Sequence, residues 1–157
     1  MIILGIDPGN VRVGYGLIKK EGGEFRYLES VLIKIPPRAD FGTQLLALEK
    51  NLEKLIRKAK PEVVGLEKIF LSKNKKTGIF VAQARGLILK IVAARGPKLV
   101  QLSPSSVKLA VTGNGRADKK AVAKMAGLFL NIKTTGLIDD ETDALAIAIA
   151  ASNQIEW

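Results

Sequence analysis

The first 35 residues contain three apolar segments in quick succession, and this start constrains the fold more than any other part of the sequence. Met1–Ile6 has the uninterrupted hydrophobicity of a buried β-strand. Val13–Lys19 and Phe25–Ile35 predict two further strands, separated by the turn-forming residues Glu21-Gly22-Gly23-Glu24. The chain is therefore predicted to begin with an antiparallel meander of three strands.

Downstream of this meander, helical and strand-like patterns alternate. The predicted helices are Thr43–Lys60, Gly78–Arg95, Ser105–Val111, Lys119–Leu130 and about Asp140–Ser152, and the predicted strands are Pro61–Glu67 and Lys98–Leu102. Three antiparallel strands followed by this alternation predict an α/β fold, with a mixed five-stranded sheet flanked by helices. A length of 157 residues suits one full core and is short for two, so we expect a single domain over residues 1–157.

Four acidic residues stand at the ends of predicted strands or at the start of the last helix: Asp7, Glu67, Asp140 and Asp143. A carboxylate beside a hydrophobic run is costly to desolvate unless a cation or hydrogen bonds compensate it. A shared pair of divalent ions would provide that compensation. Each acid also has an ordinary explanation, because Asp7 can satisfy a turn, Glu67 can pair with Lys68, and acids near a helix start complement its dipole.

The residue types that the sequence lacks narrow the choice of metal. It has no Cys and no His, which excludes disulfides, thiolate zinc sites and imidazole ligands. Only hard oxygen ligands remain, and these favour Mg²⁺ or Mn²⁺.

Positive charge is concentrated in the middle of the chain. Residues 57–120 hold 15 Lys+Arg and 3 Asp+Glu, a local charge of +12 in a chain of net charge +10. Such a block favours a polyanion partner, because each neutralised phosphate releases condensed counterions, although a basic surface also serves solubility. The sequence therefore favours nucleic acid as the partner.

No apolar run reaches the roughly 20 residues that span a bilayer. The start, MIILGIDPG, also lacks the basic lead-in and the cleavage site of a signal peptide. We therefore expect a cytoplasmic protein that makes no membrane contact.

Five segments are more specific than any single motif. They are GIDPGNVRVGYGLI (5–18), GLEKIFLSKN (65–74), AQARG (82–86), SPSSVKLAVTGNGRADKKAV (103–122) and DETDALAIAIA (140–150). In order and spacing they closely resemble the RuvC family of bacterial Holliday-junction resolvases, whose fold is ribonuclease-H-like. The resemblance implies a magnesium-dependent endodeoxyribonuclease that nicks four-way junction DNA in symmetric pairs, leaving 5′-phosphate and 3′-hydroxyl ends. It also implies a RuvA–RuvB branch-migration complex as partner.

The resemblance assigns a role to each residue that matches the family pattern. Asp7 matches the aspartate that bridges two metal ions, and Glu67 matches a second ligand. Asp143 matches the catalytic aspartate before the ALAIA run, and Asp140 matches its companion three residues earlier, on the same helix face. Lys119 matches a basic catalytic position near the scissile phosphate, at a predicted helix start that already attracts anions.

Further positions are assigned to DNA binding. Lys108 matches a second basic family position, and Phe70 matches an aromatic residue that stacks on unpaired bases at the crossover. Each has an ordinary alternative, a solvated surface lysine or a core phenylalanine. The remaining basic side chains are expected to grip phosphates and to add affinity without sequence choice: Lys73, Lys75, Lys76 and Arg85.

The predicted helix Gly78–Arg95 is apolar around most of its circumference. One sheet face cannot bury such a helix completely, so it is expected to be shared between two subunits. We therefore predict a homodimer, whose two-fold symmetry would place two active sites on strands of the same polarity in a four-way junction.

Three other functions fit parts of the sequence. The GIDPG opening with the following GYG also resembles the phosphate loop of actin-like ATPases and sugar kinases, which need two such domains and a longer chain. The YqgF group of related nucleases is a closer alternative, although Phe70 and the GNGRADKK segment favour RuvC. A non-catalytic junction-binding protein would keep the basic face without needing the acids.

Overall fold

The computed structural model describes residues 1–9, 12–36, 38–68 and 75–155, with only the backbone described for 75–77. Its strands are β1 (Ile2–Pro8), β2 (Arg12–Glu21), β3 (Glu24–Lys34), β4 (Val63–Glu67) and β5 (Lys98–Leu102). Its helices are α1 (Phe41–Ala59), α2 (Lys75–Arg95), α3 (Pro104–Thr112), α4 (Lys119–Leu130) and α5 (Asp139–Ser152).

The five strands form one mixed sheet in the order β3-β2-β1-β4-β5. β1, β2 and β3 are antiparallel neighbours, whereas β4 lies parallel to β1 and β5 lies parallel to β4. The α/β fold and the strand directions predicted from the sequence are confirmed. This order makes β1 and β4 central neighbours, so their carboxyl ends lie side by side.

Several elements begin or end a few residues away from the predicted bounds. β1 continues beyond Ile6, because Asp7 and Pro8 still pair with Gly14 and Val13 of β2. α1 begins earlier than predicted because the Asp40 side chain accepts a hydrogen bond from the Thr43 backbone N–H and caps the helix.

The alternation of side chains along the strands divides the core into two layers. Leu4, Ile6 and Leu66 point to one face and pack with buried residues of α1 and α2. The opposite face packs against α3, α4 and α5, and α5 is buried along most of its length. The alternation therefore turns Asp7 and Glu67, which follow Ile6 and Leu66, toward the α5 layer.

Glycines in the central strands let α5 approach the sheet unusually closely. A Cβ atom added to Gly5 would lie 2.0 Å from the Ala144 carbonyl oxygen, and one added to Gly65 would lie 2.8 Å from the Ala151 Cβ. Since real Cβ atoms cannot come this near, these strand positions require glycine. The close contact fixes α5 across the strands that carry Asp7 and Glu67.

In the part of the chain that the structure describes, no helix is both long and apolar enough to cross a membrane.

Candidate active site

Three elements bring their acidic residues to one place. Asp7 and Glu67 directly follow Ile6 and Leu66, which are paired across the parallel strands β1 and β4. Asp143 lies in the first turns of α5, the helix that crosses these strands. Residues distant in sequence therefore share one edge of the sheet, as expected from the carboxyl ends of parallel strands.

The start of α5 is held to the sheet by Glu141. One of its carboxylate oxygens accepts a hydrogen bond from the Ile138 backbone N–H at 3.1 Å, and the other accepts one from the Ser30 hydroxyl of β3, also at 3.1 Å. Glu141 thus ties the helix start to a strand, which orients the adjacent Asp140 and Asp143. Sequence reasoning did not predict this contact, since only the fold brings Ser30 beside Glu141.

The acids open onto a cavity of about 350 Å³. Its charged lining comprises Asp7, Glu67, Asp143, Lys108 and Lys119. Of the predicted catalytic set, only Asp140 is not part of this lining. The predicted basic positions at residues 108 and 119 thus face the same space as three predicted acids.

Burial and neighbouring negative charges raise the pKa values of two of the carboxylates. Burial raises the pKa of Asp7 to about 7, helped by the negative charges of Glu67, Asp143 and Asp140 and opposed by Lys119. Burial also raises the pKa of Glu67, helped by Asp143. Buried carboxylates with other negative charges nearby in a cleft are typical of a functional site, where a bound cation would offset the cost of their ionisation.

Two basic side chains form ion pairs with acids of the predicted catalytic set. The Lys119 Nζ lies 2.9 Å from Asp143 Oδ2, and the Arg12 Nε lies 3.0 Å from Asp140 Oδ2. The hydrogen bond to Asp143 raises the pKa of Lys119, so this amine remains a protonated donor. Arg12 was not predicted from the sequence, because nothing in its strand pattern indicates a partner on α5.

The donor set fits a hard divalent cation, because it consists of carboxylate oxygens facing one cavity. As the side chains stand, no three acids within the described ranges are grouped closely enough to hold an ion. Two of the four acids, Asp140 and Asp143, are instead paired with the basic groups of Arg12 and Lys119. A metal ion would compete with these two basic groups.

Apart from Lys108 and Lys119, which line the cavity, the predicted DNA-binding residues fall into three groups. Phe70 and Lys73 lie outside the described residues, and Lys75 and Lys76 begin α2, where only the backbone is described. Arg85 is half-buried on α2 and donates a hydrogen bond to the Gln101 side chain of β5. Its helix packs on the sheet face opposite to the carboxylates, so a role in phosphate binding stays a prediction.

This sheet, with carboxylates from β1, β4 and a closely packed final helix facing one cavity, defines a nuclease of the ribonuclease-H-like class. Residues 3–151 match the model of a specific family, the crossover junction endodeoxyribonuclease RuvC. The chain belongs to the RuvC family, as its motifs predicted. It is accordingly a hydrolase of DNA phosphodiester bonds, and membership of this family implies use of a divalent metal ion.

Curated relatives and solved structures agree with this assignment. The crossover junction endodeoxyribonuclease RuvC of Ruminiclostridium cellulolyticum is 40% identical over 98% of this chain and 92% of its own length. The crossover junction endodeoxyribonuclease RuvC of Moorella thermoacetica is 38% identical over 100% of this chain and 94% of its own length. The Thermus thermophilus RuvC in complex with a Holliday junction substrate superposes with a TM-score of 0.90 at 27% identity, covering 97% of this chain and 93% of that one.

Proposed function

We propose that this chain, acting as a single RuvC-type domain over residues 1–157, resolves Holliday junctions by paired symmetric nicks that leave 5′-phosphate and 3′-hydroxyl ends. The observation that carries the proposal is the convergence of Asp7, Glu67 and Asp143 on one cavity shared with Lys119. A protein that only binds junctions has no need for buried, mutually repelling carboxylates, whose desolvation is costly.

Four acids are proposed to hold the cofactor: Asp7, Glu67, Asp140 and Asp143. Two Mg²⁺ ions, for which Mn²⁺ would substitute, would stabilise the negative charge that develops on the phosphate and promote ionisation of the attacking water. Asp7 is the central ligand in this proposal, because the negative charges of all three other carboxylates help to raise its pKa.

Lys119 is proposed to act as a positively charged hydrogen-bond donor. Because its pKa is raised, its amine stays protonated and does not serve as a general base. Its hydrogen bond to Asp143 holds the ammonium group at the cavity. There the ammonium group would donate a hydrogen bond to an oxygen of the scissile phosphate. Lys108, from α3, lines the same cavity and would add positive charge beside it.

A homodimer is proposed to present two such sites to one junction. On α2, Ile79 keeps 59% of its surface exposed, and the small residues Ala82, Gly86 and Ala93 are also exposed. This apolar strip, which we call the α2 strip, is left uncovered by the chain's own sheet. A second copy packed on it would bury the strip and relate the two active sites by a two-fold axis.

The proposed partners are four-way junction DNA and, by family resemblance, the RuvA–RuvB branch-migration complex. Four basic residues are proposed to bind DNA phosphates: Lys73, Lys75, Lys76 and Arg85. Phe70 would stack on a base at the crossover. A DNA substrate of this kind would place the enzyme in the bacterial cytoplasm.

A nicking assay on a mobile four-way junction tests the proposal. With each strand labelled in turn, we expect Mg²⁺-dependent cuts at symmetric positions in two strands of like polarity, and nicks that DNA ligase reseals. A linear duplex of the same sequence should be cut far less. Junction binding without Mg²⁺-dependent nicks would instead indicate a non-catalytic binding protein.

A further inference from the structure

Arg12 occupies a particular position next to the proposed active site. It is the first residue of β2 and lies two residues before Gly14, so the two positions face the same side of the sheet. A Cβ atom on Gly14 would lie 2.1 Å from the Asp140 carbonyl oxygen. The first turn of α5 therefore rests on β2 at Gly14, which brings Asp140 within reach of the arginine.

Asp140 differs from the other three acids of the predicted catalytic set in its surroundings. Arg12 Nε lies 3.0 Å from Asp140 Oδ2, with 46% of the arginine side chain and 22% of the aspartate side chain exposed. Asp7, Glu67 and Asp143 line the cavity, and Asp140 does not. Three acids therefore face the cavity, and the fourth is paired with a cation outside its lining.

We propose that Arg12 is a positioning residue that holds the Asp140 carboxylate outside the cavity, so that the metal affinity of the site depends on how readily this pair opens. The inference rests on the proposed function, because it takes Asp140 as a ligand. A half-exposed ion pair is weak and exchanges readily, which suits a contact that must be released. Lys119 differs, since it pairs with Asp143 inside the cavity.

The test measures Mn²⁺ binding to the full chain without DNA, by isothermal titration calorimetry and by the electron paramagnetic resonance signal of free Mn²⁺. Removal of the guanidinium in Arg12→Gln should tighten binding by about two- to fivefold, the range expected from loss of one exposed ion pair. Arg12→Lys keeps the charge but not the planar geometry, and should fall between Arg12→Gln and the wild type.

Lys19→Gln is the matched control for net charge. Lys19 also lies on β2, has 36% of its side chain exposed and pairs with Glu21. Its substitution removes one positive charge, as Arg12→Gln does, but at a site away from the cavity. It should therefore leave the Mn²⁺ affinity unchanged. An equal gain in Lys19→Gln would show a general charge effect and overturn the proposal.

A double-mutant comparison with Asp140→Asn tests whether Arg12 acts through Asp140. If Arg12 acts through Asp140, Arg12→Gln has no further effect on Mn²⁺ affinity in an Asp140→Asn chain; a gain that persists there contradicts the proposal. Binding of Mn²⁺ by the wild type that Asp7→Asn abolishes would support the metal site. If Arg12→Gln then binds Mn²⁺ no more tightly than the wild type, the role of Arg12 is overturned and the metal site stands. A wild type that binds no Mn²⁺ would overturn both this inference and the proposed metal site.

Discussion

Gly14 of β2 lies directly under Asp140 of α5, so that a Cβ atom on the glycine would come within 2.1 Å of the aspartate carbonyl oxygen. The same helix crosses Gly5 and Gly65 at similarly short distances. The lack of side chains at these strand positions is therefore what sets the height of α5 above the sheet. That height determines whether Asp143 can meet Asp7 and Glu67.

Gly14→Ala should destabilise the protein and disturb the site. The added methyl group forces the first turn of α5 away from the sheet, at a cost of about 1–3 kcal/mol in the free energy of unfolding. We expect a lower urea midpoint together with weaker Mn²⁺ binding. Gly78→Ala is the control, because an added Cβ there meets no atom of the described residues within 4 Å, and alanine has a higher helix propensity than glycine. Equal stability of the two variants would contradict the close-packing explanation.

Asp7→Asn and Asp143→Asn should each abolish cleavage and retain junction binding. The amide keeps the shape of the side chain but removes the charge that holds a cation, so only the chemical step is lost. Single-turnover cleavage and gel-shift binding on the same labelled junction separate the two effects. Glu49→Gln, a surface change on α1 that breaks an exposed pair with Lys90, should cut at the wild-type rate. A fully active Asp7→Asn enzyme would refute the assignment.

The metal-free protein should become more stable as the pH falls from 8 to 5. The pKa of Asp7 is about 7 in the folded chain and 3.8 as an ordinary aspartate, so the folded state binds this proton more tightly. The cost of the buried charge is fully present above pH 7 and is relieved as the pH falls toward 3.8. Over this range, Asp7 should contribute about 1–3 kcal/mol.

Comparison with Asp7→Asn isolates this contribution from the other titrating groups. The variant lacks the charge at every pH, so its excess stability over the wild type should be large at pH 8 and small at pH 5. Urea unfolding in the presence of a chelator measures both chains. A difference that does not change with pH would mean that Asp7 ionises normally in the folded protein.

Much of this arrangement could be predicted from the sequence, because strand periodicity and strand-end acids are local signals. The positions of Asp7 and Glu67 follow from two apolar runs, and the meander follows from the turn at Gly22 and Gly23. Both depend on neighbouring residues alone, so a linear pattern is sufficient to reveal them.

The contacts of Arg12 and Glu141 could not be predicted in this way. Arg12 meets Asp140, and Glu141 meets Ser30, only after α5 has packed across β2 and β3. Each contact joins residues more than a hundred positions apart, and no local spacing indicates it. Strand glycines were visible as motif residues, but their purpose became clear only from the backbone of α5 lying against them.

Lys119→Gln should slow cleavage far more than it weakens binding. Loss of a charged donor beside the phosphate is expected to reduce the single-turnover rate about 10²- to 10³-fold, as for other preorganised donors. Junction affinity should change by much less, because one phosphate contact is removed. Lys120→Gln is the matched control on the next residue of α4, where the lysine is exposed and does not line the cavity. Similar rates for the two variants would place Lys119 outside the chemistry.

Ile79→Glu should convert a dimer to a monomer. The isoleucine lies on the α2 strip with 59% of its surface exposed, and a carboxylate there would be desolvated at a two-fold interface, opposite its own copy. Sedimentation velocity at micromolar concentration should show a dimeric mass for the wild type and a monomeric mass for the variant. Leu128→Glu is the control, since Leu128 is 65% exposed on α4, away from the strip, and should leave the dimer intact. On a junction, the monomeric variant should give unpaired nicks, because a single site cuts one strand at a time. A monomeric wild type, or a dimer that survives Ile79→Glu and is lost in Leu128→Glu, would place the subunit interface elsewhere.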